Sequence, residues 1–435
     1  MSASGTINTG YLQSLLAGQS ELPASQSAWL NTLRAEAANH TGELTMPTLR
    51  DEEWRFTDIS QLTKIPAHTV RTATTLQIAD IERFYIEEAT TRLVFVDGVY
   101  APHLSSGITD NGVVVLNLES GLAAHAATIE PRLGRLTEFR NNAFAALNTA
   151  FLHDAALVVV PRDVSIAVPV HILFIATQKD AASYPRCLLL AESGSVVTVI
   201  EDYVSLQEDA YFTNAVSEIT LADNARVNHI RVQRDSAKAF HIANCSVVLS
   251  RASNYQSVSV AFGARVSRYN LNVQLAEEAE CAVDGLALIS GRQLADTHTC
   301  IDHAQPHAIS RQMHKCIVGG SAHAVFNGKI KVRQGAQRTD SQQSSRNLLL
   351  TGKAHVDTKP QLEIFADDVK CTHGATIGQL DNEEVFYLQS RGLSETAARN
   401  MLTYAFGAEI IERIPVSSLK CQLEQTVLEQ TSVQL

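Results

Sequence analysis

Short apolar runs rich in Val, Ile and Thr dominate the middle of the chain and predict β-strands. From residue 155 onwards the runs follow one another at close intervals for about 220 residues, among them LVVVP, VHILFIAT, CLLLAE and VVTVIEDY. β-Branched residues in short apolar runs are typical of strands. The helical spacing of apolar residues is absent there, so this part is predicted to be almost wholly β.

A weakly repeated unit accompanies these strands. It consists of an apolar residue, three turn-like residues, a small residue, any residue and a mostly apolar residue. Six copies begin 26 to 43 residues apart, at Leu190, Leu221, Leu249, Leu275, Val318 and Leu350. A turn that feeds a strand at such a period is typical of a solenoid, whose stacked coils share an apolar interior. The alternatives are a β-sandwich and chance recurrence in a chain rich in Val and Ala.

Helical patterns flank the β-rich region. Apolar residues recur at helical spacing within residues 28–37, strand and turn signals follow at 93–118, and helical character returns at 138–152. Near the C-terminus, Asp381 with Glu384 resembles a capping box, Gly392 ends that helix, and Ser394 caps a second one. This end is therefore predicted to be a helical hairpin.

Together these patterns predict a mainly β protein with a right-handed β-helix (β-solenoid) core and helical regions at both ends. The predicted domains are an N-terminal mixed helical and strand region at residues 1–154, the solenoid at 155–377, and a C-terminal helical domain at 378–435. The apolar positions of the last domain serve either docking on the solenoid or a partner protein.

Composition and charge narrow the class of protein. Hydrophobic residues make up 45% and charged residues 19% of the chain, which is typical of a folded protein. The net charge of −11, without a run of Lys or Arg, argues against nucleic acid as a partner. The longest apolar stretch, residues 167–176, is too short to span a membrane. Without a secretory signal at the start, we expect a cytoplasmic protein, in a bacterial cytosol or a plastid stroma.

Seven widely spaced cysteines predict reduced thiols rather than disulfides. No two of them form a C-x-x-C pair, so a self-contained ferredoxin-type cluster or zinc ribbon has no support in the sequence. Cys371 and His373, however, point to one face if they lie in a strand. A thiolate and an imidazole suit iron-sulfur ligation, but two ligands leave a site incomplete, so a partner or an external thiol must supply the rest. The alternative is a structural Cys and His.

A second concentration of possible ligands occupies residues 298–316. It contains His298, Cys300, Asp302, His303, His307, His314 and Cys316. Strand alternation places the first three on one face and the last two on another, without the fixed spacing of a zinc site. We interpret these residues as hydrogen-bonded or packed positions of a solenoid rather than as a site.

The signatures of several enzyme classes are absent, and no catalytic residue is predicted. The GK pairs at Gly328 and Gly352 lack the Ser or Thr of a phosphate-binding loop, and the chain has no G-x-S-x-G or H-E-x-x-H motif. A carbohydrate-active solenoid enzyme is disfavoured because the adjacent pair Asp367 and Asp368 points to opposite faces of a strand. A homo-oligomeric interaction protein that docks through exposed sheet edges and binds no metal is the main alternative.

The segment that begins at Pro360 reads PQLEIFADDVKCTHGATIGQLDNEEVFYLQSRGLSETAARNMLTYAF. It closely resembles the C-terminal signature of the SufB/SufD family of SUF-system iron-sulfur cluster assembly proteins. The segments DEEWRFT, DTHTCIDHAQPH and NGKIKVRQGAQRTDSQQSSRNLLL are similar to the family as well, so the resemblance spans almost the whole chain. The DEEWRFT start and the order C-T-H-G at Cys371 favour the SufD branch.

The resemblance implies a non-catalytic subunit of a SufB-SufC-SufD complex. In such a complex the chain pairs with a SufB-type scaffold, and SufC-type ATPases engage the C-terminal helical domains of both. It further implies that His373 faces a SufB cysteine across the interface, with Cys371 beside it, where a transient iron-sulfur cluster is built. ATP hydrolysis on SufC would drive the conformational step. In isolation the chain is expected to hold no stable cofactor and to be capable of forming a homodimer.

Overall fold

Two large sheets built from successive coils of the chain form the body of the protein in a computed structural model, which describes residues 3–110 and 112–434. Within these residues the helices are α1 (Ala3–Leu16), α2 (Ala28–Glu43), α3 (Ile78–Ile81), α4 (Leu118–Ile129), α5 (Ala143–Ala150), α6 (Asn382–Ser390), α7 (Glu395–Ile411) and α8 (Ser417–Gln434).

The strands of the N-terminal part are β1 (His68–Thr69), β2 (Thr91–Val96), β3 (Val99–Tyr100), β4 (Ile108–Asp110), β5 (Val113–Asn117), β6 (Ala156–Val160), β7 (Val170–Ala176) and β8 (Ala181–Ser183). The strands of the coils are β9 (Arg186–Ala191), β10 (Val196–Ser205), β11 (Phe212–Leu221), β12 (Arg226–Arg234), β13 (Phe240–Leu249), β14 (Asn254–Ala261), β15 (Val266–Leu275), β16 (Glu280–Ile289), β17 (Leu294–His303), β18 (Ile309–Val318), β19 (His323–Val332), β20 (Asp340–Leu349), β21 (His355–Ile364) and β22 (Lys370–Gly378).

From β9 to β22 the chain alternates between the two sheets. Odd-numbered strands lie in one sheet, the first sheet, and even-numbered strands lie in the other, the second sheet. Each strand pairs in parallel with the strand one coil before it, and each strand from β9 to β20 also pairs with the strand one coil after it. The result is a β-solenoid of about eight turns with helices at both ends, as the sequence predicts. The β-sandwich alternative is wrong, and the right-handed sense of the coil stays a prediction.

Six of the seven corners that lead from the first to the second sheet between β9 and β22 contain a residue with left-handed backbone. The φ angles at these corners lie between 54° and 71°, at Gly194, Asn224, Ala252, Glu278, His307 and Arg338. The N–H of each donates to a carbonyl of the next coil's corner, over 2.6–3.1 Å. All but one are non-glycine residues, for which this conformation costs about 1–3 kcal/mol. Hydrogen bonds between stacked coils offset that cost.

The six repeated units fall at both kinds of corner. Those from Leu190, Leu221, Leu249 and Leu275 turn from the first sheet to the second, whereas VGGSAHA and LTGKAHV turn from the second to the first. The unit recurs because each of these six corners buries a small residue, such as Ala225. The interval from Leu275 to Val318 is long because it spans one and a half coils.

N-terminal helices cover the outer face of the first sheet. Leu30 and Leu33 of α2 and Phe144 of α5 share a buried cluster with Leu188 and Phe212 of the sheet. The side chain of Arg186 reaches the same layer, where it pairs with buried Glu218 at 2.5 Å. The helices predicted from residues 28–37 and 138–152 are therefore present and form a second core.

The C-terminus contains three helices, not the predicted hairpin. The missed helix, α8, buries Leu419, Leu423 and Val427 at a clear helical spacing, but polar residues around them weaken the pattern. The predicted capping box is also wrong, because Asp381 accepts from the backbone N–H of Glu383 without a return bond from Glu384.

Among the described residues no helix is long and apolar enough to cross a bilayer. The three domain boundaries stay predictions.

The segment DEEWRFT packs on the outer face of the first sheet near β17. Trp54 covers the guanidinium of Arg268 at 3.9 Å, and Arg268 donates to buried Asp296 at 2.6 Å. His298 bonds to Asp296 at 3.0 Å and to Glu53 at 3.2 Å. Burial disfavours the imidazolium, but these two carboxylates outweigh burial and raise the pKa of His298.

A raised folded-state pKa predicts a pH-dependent contribution of His298 to stability. The contribution is fully present below the unfolded-state pKa of about 6.5 and is lost as pH rises through the folded-state pKa. His298→Gln should lower the free energy of unfolding by about 1.5–3 kcal/mol at about pH 6, the range for hydrogen bonds to charged groups. Urea unfolding at about pH 6 and about pH 9 measures the difference, which should shrink at the higher pH.

The control is His40→Gln, because the carboxylate paired with His40, that of Glu43, is exposed and lies 3.9 Å away. Exposed pairs of this kind contribute about 1 kcal/mol or less, so little change with pH is expected in that variant. An effect of His298→Gln that is the same at both pH values would contradict the ion-pair assignment.

Candidate functional site at the open end of the solenoid

The last coil, formed by β21 and β22, has a neighbour on one side only within the described chain. β22 is paired with β20 alone, from Lys370 to Gly378. Its other backbone edge is therefore left without a strand. An unpaired strand edge of nine residues is a template for another strand.

Cys371 and His373 lie on the inward face of β22. Their partners one coil earlier are Ser341 and Gln343, which are each 1% exposed in the interior. His373 by contrast is exposed and Cys371 is half-buried, since no further coil covers them. Strand alternation thus places the two side chains on one face, as expected, and the end of the stack opens that face to solvent.

The thiol of Cys371 rests against a small apolar cluster formed by Ile330, Val332, Ala336 and Ala366. Burial, together with the nearby carboxylate of Asp340, raises the pKa of the Cys371 thiol. The protonated thiol is therefore favoured in the chain alone. A cation beside the sulfur would be needed to stabilise the thiolate, the form that ligates metal.

The end of the solenoid offers two ligands and lacks a third. Among the residues that the structure describes, no other Cys, His, Asp or Glu completes a three-ligand group with Cys371 and His373. None of the seven cysteines is in a disulfide, in keeping with reduced thiols. The geometry within this chain is thus an incomplete site beside an open strand edge.

The ligand-rich stretch at residues 298–316 is dispersed by the fold. His298 and Cys300 lie on the outer face of the first sheet, whereas His314 and Cys316 lie inside the solenoid. His314 stacks on Phe326 at 4.3 Å, and burial lowers the pKa of His314 to about 3. Burial also raises the pKa of Cys316 to about 12. These are packed positions, as the sequence predicts.

A buried polar cluster inside the early coils was not anticipated from the sequence. The carboxylate of Glu201 accepts hydrogen bonds from Ser217 and Tyr203 and contacts His229 at 3.1 Å. Burial would raise the pKa of Glu201, but these partners outweigh it and lower the pKa to about 2. The only sequence signal was an acidic pair inside the apolar run VVTVIEDY. The cluster is closed to solvent and internally satisfied at this carboxylate.

The C-terminal helices contact the solenoid on one side and expose apolar side chains on the other. Ile410 and Ile414 pack with Leu286 and Ile317 on the outer face of the second sheet. Phe386 and Tyr387 of α6 and Met401 of α7, the helical patch, are 54–71% exposed. Exposed aromatic and Met side chains are typical of a protein-binding surface.

Comparison with known proteins places these features in a family. The model of the SUF system FeS cluster assembly SufBD core domain matches residues 174–406, and the model of the SufBD protein N-terminal region matches residues 6–172. An iron-sulfur cluster assembly SufBD family protein of Synechocystis is 41% identical over 422 residues, which cover 94% of this chain and 93% of that protein.

Two further relatives agree in extent. The iron-sulfur cluster assembly protein SufD of Escherichia coli is 34% identical over 92% of this chain and 96% of its own length. A protein of Arabidopsis thaliana named ABCI7, chloroplastic, is 31% identical over 93% of this chain and 86% of its own length. The chain therefore belongs to the SufB/SufD family of SUF-system iron-sulfur cluster assembly proteins.

Proposed function

We propose that this chain is the non-catalytic, SufD-type subunit of a SufBCD scaffold and pairs through its open solenoid end with a SufB-type chain. The observation that carries the proposal is the placement of His373 on an inward face that lies exposed beside the unpaired edge of β22. Pairing with a similar solenoid end would continue the sheet and cover that face. A role in iron-sulfur cluster assembly follows from family membership.

Cluster ligation at the proposed interface would be shared. Imidazole can replace thiolate on one iron of a cluster, and the remaining ligands are normally thiolates. His373 and Cys371 supply at most two ligands from this chain, so the SufB-type partner would supply the rest. A cluster held across an interface is transient by construction, because separation of the subunits removes half of its ligands. The isolated chain is expected to retain none.

The helical patch is the proposed docking surface for a SufC-type ATPase. The chain lacks the Ser or Thr that follows Gly-Lys in a phosphate-binding loop, so nucleotide hydrolysis is assigned to the partner. Two ion pairs connect the C-terminal helical region to the solenoid and can transmit movement of the docked ATPase to it. Lys315 of β18 contacts Glu409 of α7 at 2.5 Å, and Arg413 contacts buried Asp284 of β16 at 2.6 Å.

A homo-oligomer without metal chemistry is the second candidate, since an open strand edge pairs as readily with a second copy as with a relative. A homodimer of the isolated chain is compatible with both functions.

We place the function in the cytoplasm, either a bacterial cytosol or a plastid stroma, because seven unpaired cysteines suit a reducing compartment.

Replacement of His373 tests the proposed site. In a complex co-expressed with SufB-type and SufC-type partners, His373→Ala should leave assembly of the subunits intact and abolish most cluster loading, because an exposed ligand is lost without a packing defect. Anaerobic reconstitution, followed by visible absorbance and bound iron, measures the effect. Cys371→Ala should reduce loading less, since its thiol is half-buried and its pKa is raised.

His68→Ala is a matched control, because His68 is also exposed but lies on β1, far along the chain from β22. It should load as much iron as the wild type. If His373→Ala loads a full cluster in an intact complex, the interfacial ligand role is wrong and the chain is a structural adaptor.

Truncation of the helical patch tests ATPase docking. The double variant Phe386→Ala, Met401→Ala should weaken binding of a SufC-type partner at least about 10-fold, since buried aromatic anchors commonly contribute more than about 1 kcal/mol each. Titration calorimetry with the purified partner measures the change. Leu49→Ala removes a similarly exposed apolar side chain elsewhere and should leave the affinity unchanged. Equal affinities for all three proteins would refute docking at this surface.

A further inference from the structure

Three possible metal ligands meet on the outer face of the first sheet, away from Cys371 and His373. His323 begins β19, and His355 and Asp357 lie at the start of β21. The Nε2 atom of His323 lies 2.8 Å from Oδ2 of Asp357, and the Nε2 atom of His355 lies 3.2 Å from the same oxygen. One ligand atom from each residue lies within 4.8 Å of the other two.

Strand register brings these three side chains together. His323 and His355 are direct partners in the parallel pairing of β19 with β21, and Asp357 is partnered with Val325. Residues two apart in a strand share a face, and adjacent strands lie about 4.8 Å apart. Ala324 and Val356, which alternate with the three, are buried inside the solenoid. The three ligands therefore face outward from the first sheet.

The separations are close to those around a bound ion. A divalent ion binds imidazole nitrogen and carboxylate oxygen at about 2.0–2.2 Å, which places tetrahedral ligand atoms about 3.4 Å apart. The two contacts to Asp357 need to lengthen by less than about 1 Å to admit an ion. Each histidine would then present the lone pair of Nε2 and keep its proton on Nδ1.

We propose that His323, His355 and Asp357 form a binding site for a divalent transition-metal ion such as Zn²⁺ or Fe²⁺. Two imidazoles with one carboxylate suit these ions, whereas Ca²⁺ and Mg²⁺ prefer oxygen ligands alone. The side chain of His355 is 65% exposed, so solvent or another ligand can fill the remaining positions. Three protein ligands with open positions are typical of exchangeable or reactive sites rather than of closed structural ones.

This site is separate from the proposed cluster site. It lies on the outward face of the first sheet, whereas Cys371 and His373 lie on the inward face of the second. Its ligands include no thiolate, so it is a site for a mononuclear ion rather than for an iron-sulfur cluster. The inference therefore holds whether or not the proposed pairing with SufB is correct.

Metal titration of the full chain tests the proposal. After treatment with a chelator, the protein is titrated anaerobically with Co²⁺, followed by visible absorbance, and with Zn²⁺, followed by calorimetry. One equivalent should bind, with cobalt bands in the visible range and no strong thiolate-to-cobalt band. His355→Ala and Asp357→Ala should each weaken Zn²⁺ binding more than about 100-fold, beyond the loss typical of an outer-shell partner.

His373→Ala and Cys371→Ala are the matched controls and should bind the ion like the wild type. Circular dichroism of all variants checks that the solenoid is intact, which is expected because both substituted ligands are on the surface. Binding that is unchanged in Asp357→Ala, or that disappears in Cys371→Ala, would overturn the assignment. Absence of binding by the wild type would show that the three residues form only an ion-paired cluster.

Discussion

Each coil of a β-solenoid depends on its neighbours for its backbone hydrogen bonds, and the structure follows from this constraint. A strand of the first or second sheet bonds to the coil before it and to the coil after it, and the left-handed corner residues bond in the same direction. At the N-terminal end the requirement is met by the antiparallel hairpins of β2 with β3 and of β4 with β5. At the other end, among the described residues, the edges of β21 and β22 are left open.

The interior changes in character towards this open end. The inward row that begins at Val283 continues through Gln312 and Gln343 to His373. A parallel row runs from Cys281 through two serines to Cys371. Burying polar groups costs free energy and destabilises the core. The same groups, however, give the end of the stack a polar face that can bind ligands. The C-terminal helices pack on the outer face of the same sheet.

Local patterns in the sequence predicted what depends on neighbouring residues. The β-rich core and its small corner residues were readable, and so was the shared face of Cys371 and His373, because alternation along a strand is local. The sequence could not predict that this face points into the solenoid, since that depends on how the coils stack. The group of His323, His355 and Asp357 was missed for the same reason. Its signal was present in the aligned units VGGSAHA and LTGKAHV, which carry a histidine at the same position.

The central claim is that the unpaired edge of β22 is where the partner docks. Hydrogen exchange of the backbone amides of Lys370–Gly378, in the chain alone and in its complex with a SufB-type partner, tests it most directly. The isolated chain is diluted until it is monomeric. The amides of β22 that point to the unpaired edge should then exchange rapidly. They should become strongly protected in the complex. Exchange that is equally rapid in an intact complex would contradict the account.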